Sequence, residues 1–204
     1  MTASWESLVP AVLLTCCLAS SWWGMRRFFT RPGGLTASMR LIAGCATVFG
    51  ILHLYAILSG SNRTAERSVA GSALYILSVG LFWWAIKTSL GKPLSAAFSP
   101  DTPAHLVRSG PYRFVRHPLY TSYILTWLAG WVVTVQWWLI PTVLIMTVIY
   151  FVASSAEEQK FLRSPLADAY QQYRFRTGRF LPNLFKLLAA VPAPTGPQTS
   201  EPRA

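Results

Sequence analysis

Two polar segments of this sequence carry the side chains that could do chemistry, and long apolar runs separate them. The first extends from His105 to Tyr120 and is rich in arginine, histidine and tyrosine. The second opens with the adjacent carboxylates Glu157 and Glu158 and continues to Tyr170 and Tyr173. Carboxylates at a membrane edge are often only solvated, but two of them facing a basic, aromatic loop would balance a cationic ligand. We interpret the two segments as one site.

His117 lies where local signals predict the start of a helix. Gly110-Pro111 is a turn signal, and Pro118 suits a first helical turn because its missing amide costs nothing there. An isolated histidine at this position would be an interfacial residue reaching towards water. The arginines beside His117, with Tyr120 about one turn further on, favour a binding role instead.

The elements that position these segments are helices. Apolar residues gather into five runs, each close to the about 17 to 25 residues that cross a bilayer as a helix, and none alternates as a barrel strand does. The runs are Leu8 to Trp23, Leu41 to Ser59, Val69 to Ile86, Leu119 to Val135 and Trp137 to Ala153. A soluble protein with five core helices would have too few polar faces to cover them. The predicted fold is an all-α, polytopic membrane helix bundle of about five transmembrane helices, followed by a cytoplasmic carboxy-terminal helix.

The charge distribution predicts the orientation of this bundle. Of 18 basic residues, all but Arg63 and Arg67 fall on one side of the five-span topology. By the positive-inside rule, the amino terminus lies outside and the carboxy terminus is cytoplasmic. We expect the inner (plasma) membrane of a bacterium, with the net charge of +11 also attracting membrane lipids. Nucleic acid is not an expected partner, because the charges are spread over several loops.

Cysteine spacing and the end of the chain add little chemistry. Cys16, Cys17 and Cys45 fall within predicted spans without ligand spacing, so we expect buried free thiols and no metal. Residues 191–204 are rich in proline and small polar residues, which predicts a disordered tail. The membrane domain is expected to cover residues 1–190, with the motifs in residues 105–182.

The order of the motifs resembles a known superfamily. Leu-Val-x-x-Gly-Pro-Tyr-x-x-x-Arg-His-Pro-x-Tyr is followed by Glu-Glu, then Tyr-x-x-Tyr and Arg-x-x-Pro. This pattern is similar to the isoprenylcysteine carboxyl methyltransferase and phospholipid methyltransferase superfamily of integral membrane enzymes. The resemblance implies S-adenosylmethionine as cofactor and a lipid-soluble methyl acceptor as partner. It also implies that no metal takes part and that no side chain need act as a catalytic acid or base.

The same resemblance implies a cofactor-binding set. Its members are His105, Leu106, Val107, Gly110, Tyr112, His117, Pro118, Leu119, Tyr120 and one or both of Glu157 and Glu158. In this interpretation the backbone around Gly110 meets the cofactor's carboxylate and the tyrosines suit its cationic sulfonium.

One departure from the family pattern concerns the acceptor. Where the family carries an arginine about one turn before the cofactor-binding glutamate, this chain has Ser154. Arg113 or Arg174 are the candidate substitutes, which makes these three the candidate substrate-binding residues. The acceptor is therefore left open among a carboxylate, as in isoprenylcysteine, an amine and a thiol.

Two other functions remain open at this stage. A membrane reductase of the steroid reductase type would share the carboxy-terminal architecture but bind NADPH. A non-catalytic small membrane scaffold would bind no nucleoside at all. It is the weakest alternative, because His53 is the one ionisable residue inside a span that suggests a pathway, and a hydrogen bond between helices explains it better.

Overall fold

The apolar runs fold as helices because hydrocarbon offers backbone amides and carbonyls no other partners. The computed structural model describes residues 4–30, 36–60, 64–90, 94–95 and 103–183. The helices are α1 (Trp5–Phe28), α2 (Ala37–Ser59), α3 (Ala65–Thr88), α4 (Pro118–Thr134), α5 (Ile140–Leu162) and α6 (Ala167–Arg176). Short 3₁₀ helices cover Gly110–Arg113 and Trp137–Leu139. The predicted all-α bundle is confirmed, and each of the five apolar runs forms one of the helices α1 to α5.

Four of the helices have the length and composition to cross a membrane. They are α1, α2, α3 and the continuous stretch Trp137–Leu162 that contains α5. Helix α4, with 17 residues, lies at the lower limit of the about 17 to 25 residues that span a bilayer, so its crossing stays a prediction. Many large apolar side chains are exposed, as on α2, where Leu41, Ile51 and Tyr55 are 67%, 62% and 63% exposed. Faces of this kind suit contact with lipid rather than water.

Small residues bring α3 and α4 together at the centre of the bundle. A Cβ atom added to Gly71 would clash with Val133 and lie 3.0 Å from the Ala129 carbonyl oxygen. Helices in membranes associate through such close contacts and through polar side chains between them. Ser78 on α3 supplies one polar contact, since its hydroxyl donates to the Ser122 carbonyl over 2.7 Å. The α3–α4 pair is thus a fixed support for the loop that precedes α4.

One expectation on the cysteines and one on the start of α6 need correction. Cys16 is exposed, whereas Cys17 is buried and Cys45 is half-buried, so only one of the three free thiols is fully buried as predicted. The residue types of Ser164-Pro165 predict a helix cap followed by a first-turn proline. Both residues instead lie in a turn before α6, because the Ser164 hydroxyl accepts from the Leu166 amide and the helix begins two residues after the proline.

Beyond the helices, the described chain contains one short strand pair. Strands β1 (Phe29–Thr30) and β2 (Leu94–Ser95) are parallel and only two residues long. They join the end of α1 to the segment that follows α3. The predicted disordered tail, residues 191–204, lies outside the described residues.

Candidate functional site

The buried carboxylate of Glu158 is the centre of the site. It lies near the end of α5, and only 4% of its side chain is exposed. Its Oε1 accepts from Arg116 Nε over 3.0 Å, and its Oε2 accepts from Arg179 Nη2 over 3.1 Å. Arg174 Nε lies further away, at 3.7 Å. A charge this well buried is tolerated only with several partners, which these arginines supply.

His117 connects Glu158 to the neighbouring carboxylate. Its Nε2 lies 3.1 Å from Glu158 Oε1, and its Nδ1 lies 3.3 Å from Glu157 Oε2. Burial of the imidazole favours the neutral form, but hydrogen bonds to Glu157 and Glu158 outweigh it and raise the pKa of His117. When protonated, the ring donates from both nitrogens and joins the two carboxylates. Arg116, His117, Glu157, Glu158, Arg174 and Arg179 together are called the Glu158 cluster below.

Backbone pairing sets the register of this cluster. Val115 and Gly178 form a parallel bridge, the Arg116 amide donates to the Gly178 carbonyl over 2.8 Å, and the His117 amide donates to the Arg179 carbonyl over 3.1 Å. As predicted, Pro118 is the first residue of α4 and His117 is its N-cap. The loop before α4 and the segment after α6 therefore hold the basic residues around the end of α5.

Arg116 has a second set of contacts. Its Nη1 donates to the carbonyl oxygens of Arg174, over 3.2 Å, and of Thr177. These carbonyls lie at the end of α6, where a cation also interacts favourably with the helix dipole. Arg116 thus fastens α6 to the end of α5.

The loop of residues 103–113 is fastened to α6 in turn. Tyr173 donates to the Tyr112 carbonyl over 2.7 Å, and Arg108 Nη2 donates to the Ala169 carbonyl over 2.9 Å. Burial raises the pKa of Tyr112 to about 12, so the Tyr112 hydroxyl stays protonated. Gly110 has φ +58, and a Cβ there would clash with Thr88, so the turn requires glycine. The two polar segments predicted to form one site do meet in the structure.

Aromatic rings line the adjoining end of the α4–α5 interface. Tyr120 stacks on Tyr150 with ring centroids 5.6 Å apart, and Tyr123 lies 5.4 Å from Tyr150. The Tyr120 hydroxyl donates to Glu157 Oε1 over 2.6 Å. An aromatic wall with a carboxylate at one end attracts cations.

The predicted cofactor residues lie at different depths. His105 is exposed and Leu106 half-buried, whereas Val107 packs with Tyr112 and Leu119 in a buried cluster. Pro118 is also buried. Among the described residues of this set, hydrogen bonds join His117 and Tyr120 to the two glutamates. Whether the whole set binds a cofactor stays a prediction.

The three candidate substrate residues are placed apart. Arg113 is exposed beside the Phe114 ring, and Arg174 is 49% exposed at the edge of the Glu158 cluster. Ser154 is fully buried and its hydroxyl donates to the Phe151 carbonyl over 2.9 Å, so it turns into the helix.

Sequence reasoning missed the positions of two arginines. Arg116 and Arg179 belong to the quoted Arg-His-Pro and Arg-x-x-Pro elements, yet no role was assigned to either. The position of both arginines within those elements could have indicated a role in the site. Their partners could not be found in this way, because they depend on the pairing of residues 115–117 with 178–179.

The part of the chain that the structure describes contains no group of three or more His, Cys, Asp or Glu side chains arranged to hold a metal ion.

Comparison with known families found a match. The sequence model of the family described as phospholipid methyltransferase matches residues 67–169, just over half of the 204 residues. The chain belongs to the phospholipid methyltransferase family. The match includes Arg116, His117 and both glutamates and ends before Arg174 and Arg179. As a phospholipid methyltransferase family member, the chain is an integral membrane protein and a membrane methyltransferase. A search of curated proteins found no match.

Proposed function

We propose that the protein transfers a methyl group from S-adenosylmethionine to a lipid-soluble acceptor at the Glu158 cluster. The observation that carries the proposal is His117, which joins two carboxylates beside an aromatic wall. The tyrosine wall with Glu157 at its end, rather than the arginine-rich side of the cluster, suits a cationic ligand, and a sulfonium is one. By the charge distribution, the site lies on the cytoplasmic side, with the amino terminus outside.

A buried hydroxyl supports a polar ligand here. Tyr170 is 2% exposed, and its hydroxyl has no hydrogen-bond partner within the described residues. Burial, and then the charge of Glu158, raises the pKa of Tyr170, so the hydroxyl keeps its proton. An unpaired buried hydroxyl costs about 1 to 3 kcal/mol, which a ligand's oxygen or nitrogen would recover. The residues present thus fit a ligand that brings a polar atom to this hydroxyl.

The proposed cofactor contacts divide by element. The loop that contains His105, Leu106, Val107, Gly110 and Tyr112 would hold the adenosyl and amino-acid portions, and the start of α4 would lie against them. When bound, S-adenosylmethionine supplies an electrophilic methyl group on its sulfonium sulfur. The chain's own task is to align donor and acceptor and to exclude water, because methyl transfer needs little proton chemistry.

The two glutamates have different roles in this proposal. Both oxygens of Glu158 are held by basic side chains, so it positions Arg116 and His117. Glu157 is 19% exposed, against 4% for Glu158, and it adjoins the tyrosine wall. Glu157 is therefore the carboxylate that would face the cofactor's positive charge.

Calorimetry on the purified protein tests the proposal. We expect heat on addition of S-adenosylmethionine or its demethylated product, and Glu157→Gln should weaken that affinity about 10- to 100-fold. Glu66→Gln, an exposed glutamate in the first turn of α3, is the matched control and should change it little. Binding of NADPH in place of both adenosyl compounds would instead support a membrane reductase.

A further inference from the structure

Two polar atoms in the interior of the bundle have no hydrogen-bond partner within the described residues. They are Nδ1 of His53, on α2, and the hydroxyl oxygen of Tyr75, on α3. Both side chains are fully buried. A buried polar group without a partner is costly, so each of these atoms requires an explanation.

Both atoms face the same point on a third helix, α4. A Cβ atom added to Gly130 would clash with His53 Nδ1 and would lie 2.9 Å from the Tyr75 hydroxyl oxygen. The two atoms are therefore close enough for one water molecule to reach both of them with hydrogen bonds of about 2.8 Å. Glycine at this position keeps a side chain of α4 out of the space beside them.

The two atoms are complementary in hydrogen bonding. The Thr142 hydroxyl donates its one hydrogen to the Leu139 carbonyl over 2.7 Å, so it accepts from His53 Nε2 over 2.8 Å. The buried ring has an uncharged partner, which favours its neutral form and makes Nδ1 an acceptor. The Tyr75 hydroxyl has a hydrogen to donate. A molecule between the two atoms must accept from the tyrosine and donate to the imidazole, as water does.

A direct hydrogen bond between the two side chains is disfavoured because both are held in place. The His53 ring is fixed by the Thr142 hydroxyl and lies edge-on to the Trp127 ring, with centroids 5.4 Å apart. Tyr75 belongs to a buried apolar cluster formed by α1, α2, α3 and α4. Rotation of the tyrosine ring about its long axis leaves the hydroxyl oxygen where it is.

We propose that a structural water molecule binds between His53 Nδ1 and the Tyr75 hydroxyl, beside Gly130. Buried waters pair polar groups that would otherwise have no partner. This water completes a chain of hydrogen bonds from Tyr75 on α3 through His53 on α2 to Thr142 on α5. The site is separate from the Glu158 cluster, since Thr142 and Glu158 lie near opposite ends of α5, about 24 Å apart along its axis.

Magnetisation transfer from water in the wild-type protein tests the proposal. Protein labelled with ¹⁵N in histidine gives few ring signals, because the chain has three histidines. In detergent micelles we expect transfer from water to the His53 ring, together with an Nδ1 shift typical of a hydrogen-bonded acceptor. His53→Asn should remove this signal, which assigns it. Absence of transfer to the His53 ring would overturn the proposal, whether the two side chains bond each other directly or stay unpaired.

The direction of the stability change in Tyr75→Phe is a second test. If the hydroxyl donates to a bound water, its removal should lower the melting temperature by about 2 to 4 °C, the shift for one net hydrogen bond in a chain of this length. The transfer from water to His53 should weaken as well. If the hydroxyl has no partner, its removal relieves a cost, so an unchanged or raised melting temperature would overturn the proposal.

Tyr55→Phe is the matched control, because Tyr55 is 63% exposed on α2. It should leave both the melting temperature and the transfer to His53 as in the wild type. Equal losses in Tyr55→Phe and Tyr75→Phe would mean that any tyrosine hydroxyl has this effect, and would overturn the proposal.

A double-mutant cycle tests whether the two side chains share one water. His53→Leu and Tyr75→Phe each remove one of its partners, so the double variant should lose less stability than the sum of the two single losses. Strict additivity would show that the two side chains are not connected, which would overturn the proposal. The transfer experiment on the wild type decides the matter if His53→Leu does not fold.

Discussion

Two buried histidines lie in different regions of this bundle and have opposite surroundings. His117, at the start of α4, is 8% exposed and has a carboxylate within 3.3 Å of each ring nitrogen. His53, on α2, is fully buried, and its Nε2 lies 2.8 Å from the Thr142 hydroxyl on α5. Within the described residues its Nδ1 has no partner. The first region is ionic and the second is neutral.

The difference shows that neighbours, rather than burial, decide what a histidine does here. Thr142 has one hydroxyl hydrogen, which it donates to the Leu139 carbonyl over 2.7 Å. The hydroxyl must therefore accept from His53, which places a hydrogen on Nε2. Because the ring is fully buried and its hydrogen-bond partner is an uncharged hydroxyl, the neutral form is favoured and His53 is a neutral link between two helices. His117 has carboxylates on both sides and becomes part of a site. The prediction that His53 is hydrogen-bonded between helices is confirmed.

The largest effect that separates these regions is expected from Glu158→Gln. It removes the charge that faces Arg116 and Arg179, and breaking a buried ion pair from one side costs about 3 to 5 kcal/mol. The free energy of unfolding, measured in detergent micelles with a denaturant, should fall by about that amount. Glu66→Gln, which changes an exposed glutamate, should alter it by less than about 1 kcal/mol.

A loss below about 1 kcal/mol for Glu158→Gln would contradict the ionic description of the cluster. The arginines of the cluster would then be hydrated well enough to lose their carboxylate at little cost in stability, as the arginines of exposed ion pairs are.

The sequence predicted more of the bundle than of the site. Apolar runs such as Val69 to Ile86 predict helices because backbone satisfaction in hydrocarbon leaves few alternatives. The meeting of His117 with Glu157 and Glu158 also followed from topology, since both segments were placed on one side. The position of Arg179 did not, because it depends on a backbone bridge between residues far apart in the chain. The sequence suggested Arg113 or Arg174 as an anion-binding residue, and spacing alone gives no means of ranking arginines in separate loops.

A smaller effect is expected from pH at His117. Its pKa in the folded protein is raised above the ordinary value of 6.5, so the protonated ring stabilises the fold. This contribution is complete below about pH 6.5 and is lost as the pH rises through the folded pKa. The melting temperature of the wild type should therefore fall over that range relative to His117→Asn. Each unit of raised pKa corresponds to about 1.4 kcal/mol.

If the melting temperatures of the wild type and of His117→Asn changed in parallel with pH, this interpretation would be wrong. Parallel curves would show that His117 binds no more protons in the folded protein than in the unfolded one. His53→Asn is the control from the neutral region. It should leave the pH dependence of the wild type in place, since the contact of His53 with Thr142 uses a neutral ring.

The smallest effect is expected from Thr142→Val, which removes the hydroxyl that joins α5 to His53 while keeping the side chain's shape. Hydrogen bonds between membrane helices contribute about 0.6 kcal/mol on average, because the unfolded chain in a membrane or micelle finds other partners. Thr147→Val is the matched control on the same helix, since the Thr147 hydroxyl donates to the Val143 carbonyl of its own helix. The unfolding free energy of Thr142→Val should fall below that of Thr147→Val by about that amount. If Thr142→Val lowered the unfolding free energy as much as Glu158→Gln does, the neutral histidine would stabilise the bundle as strongly as the ionic one. The two regions would then differ in chemistry and not in stability.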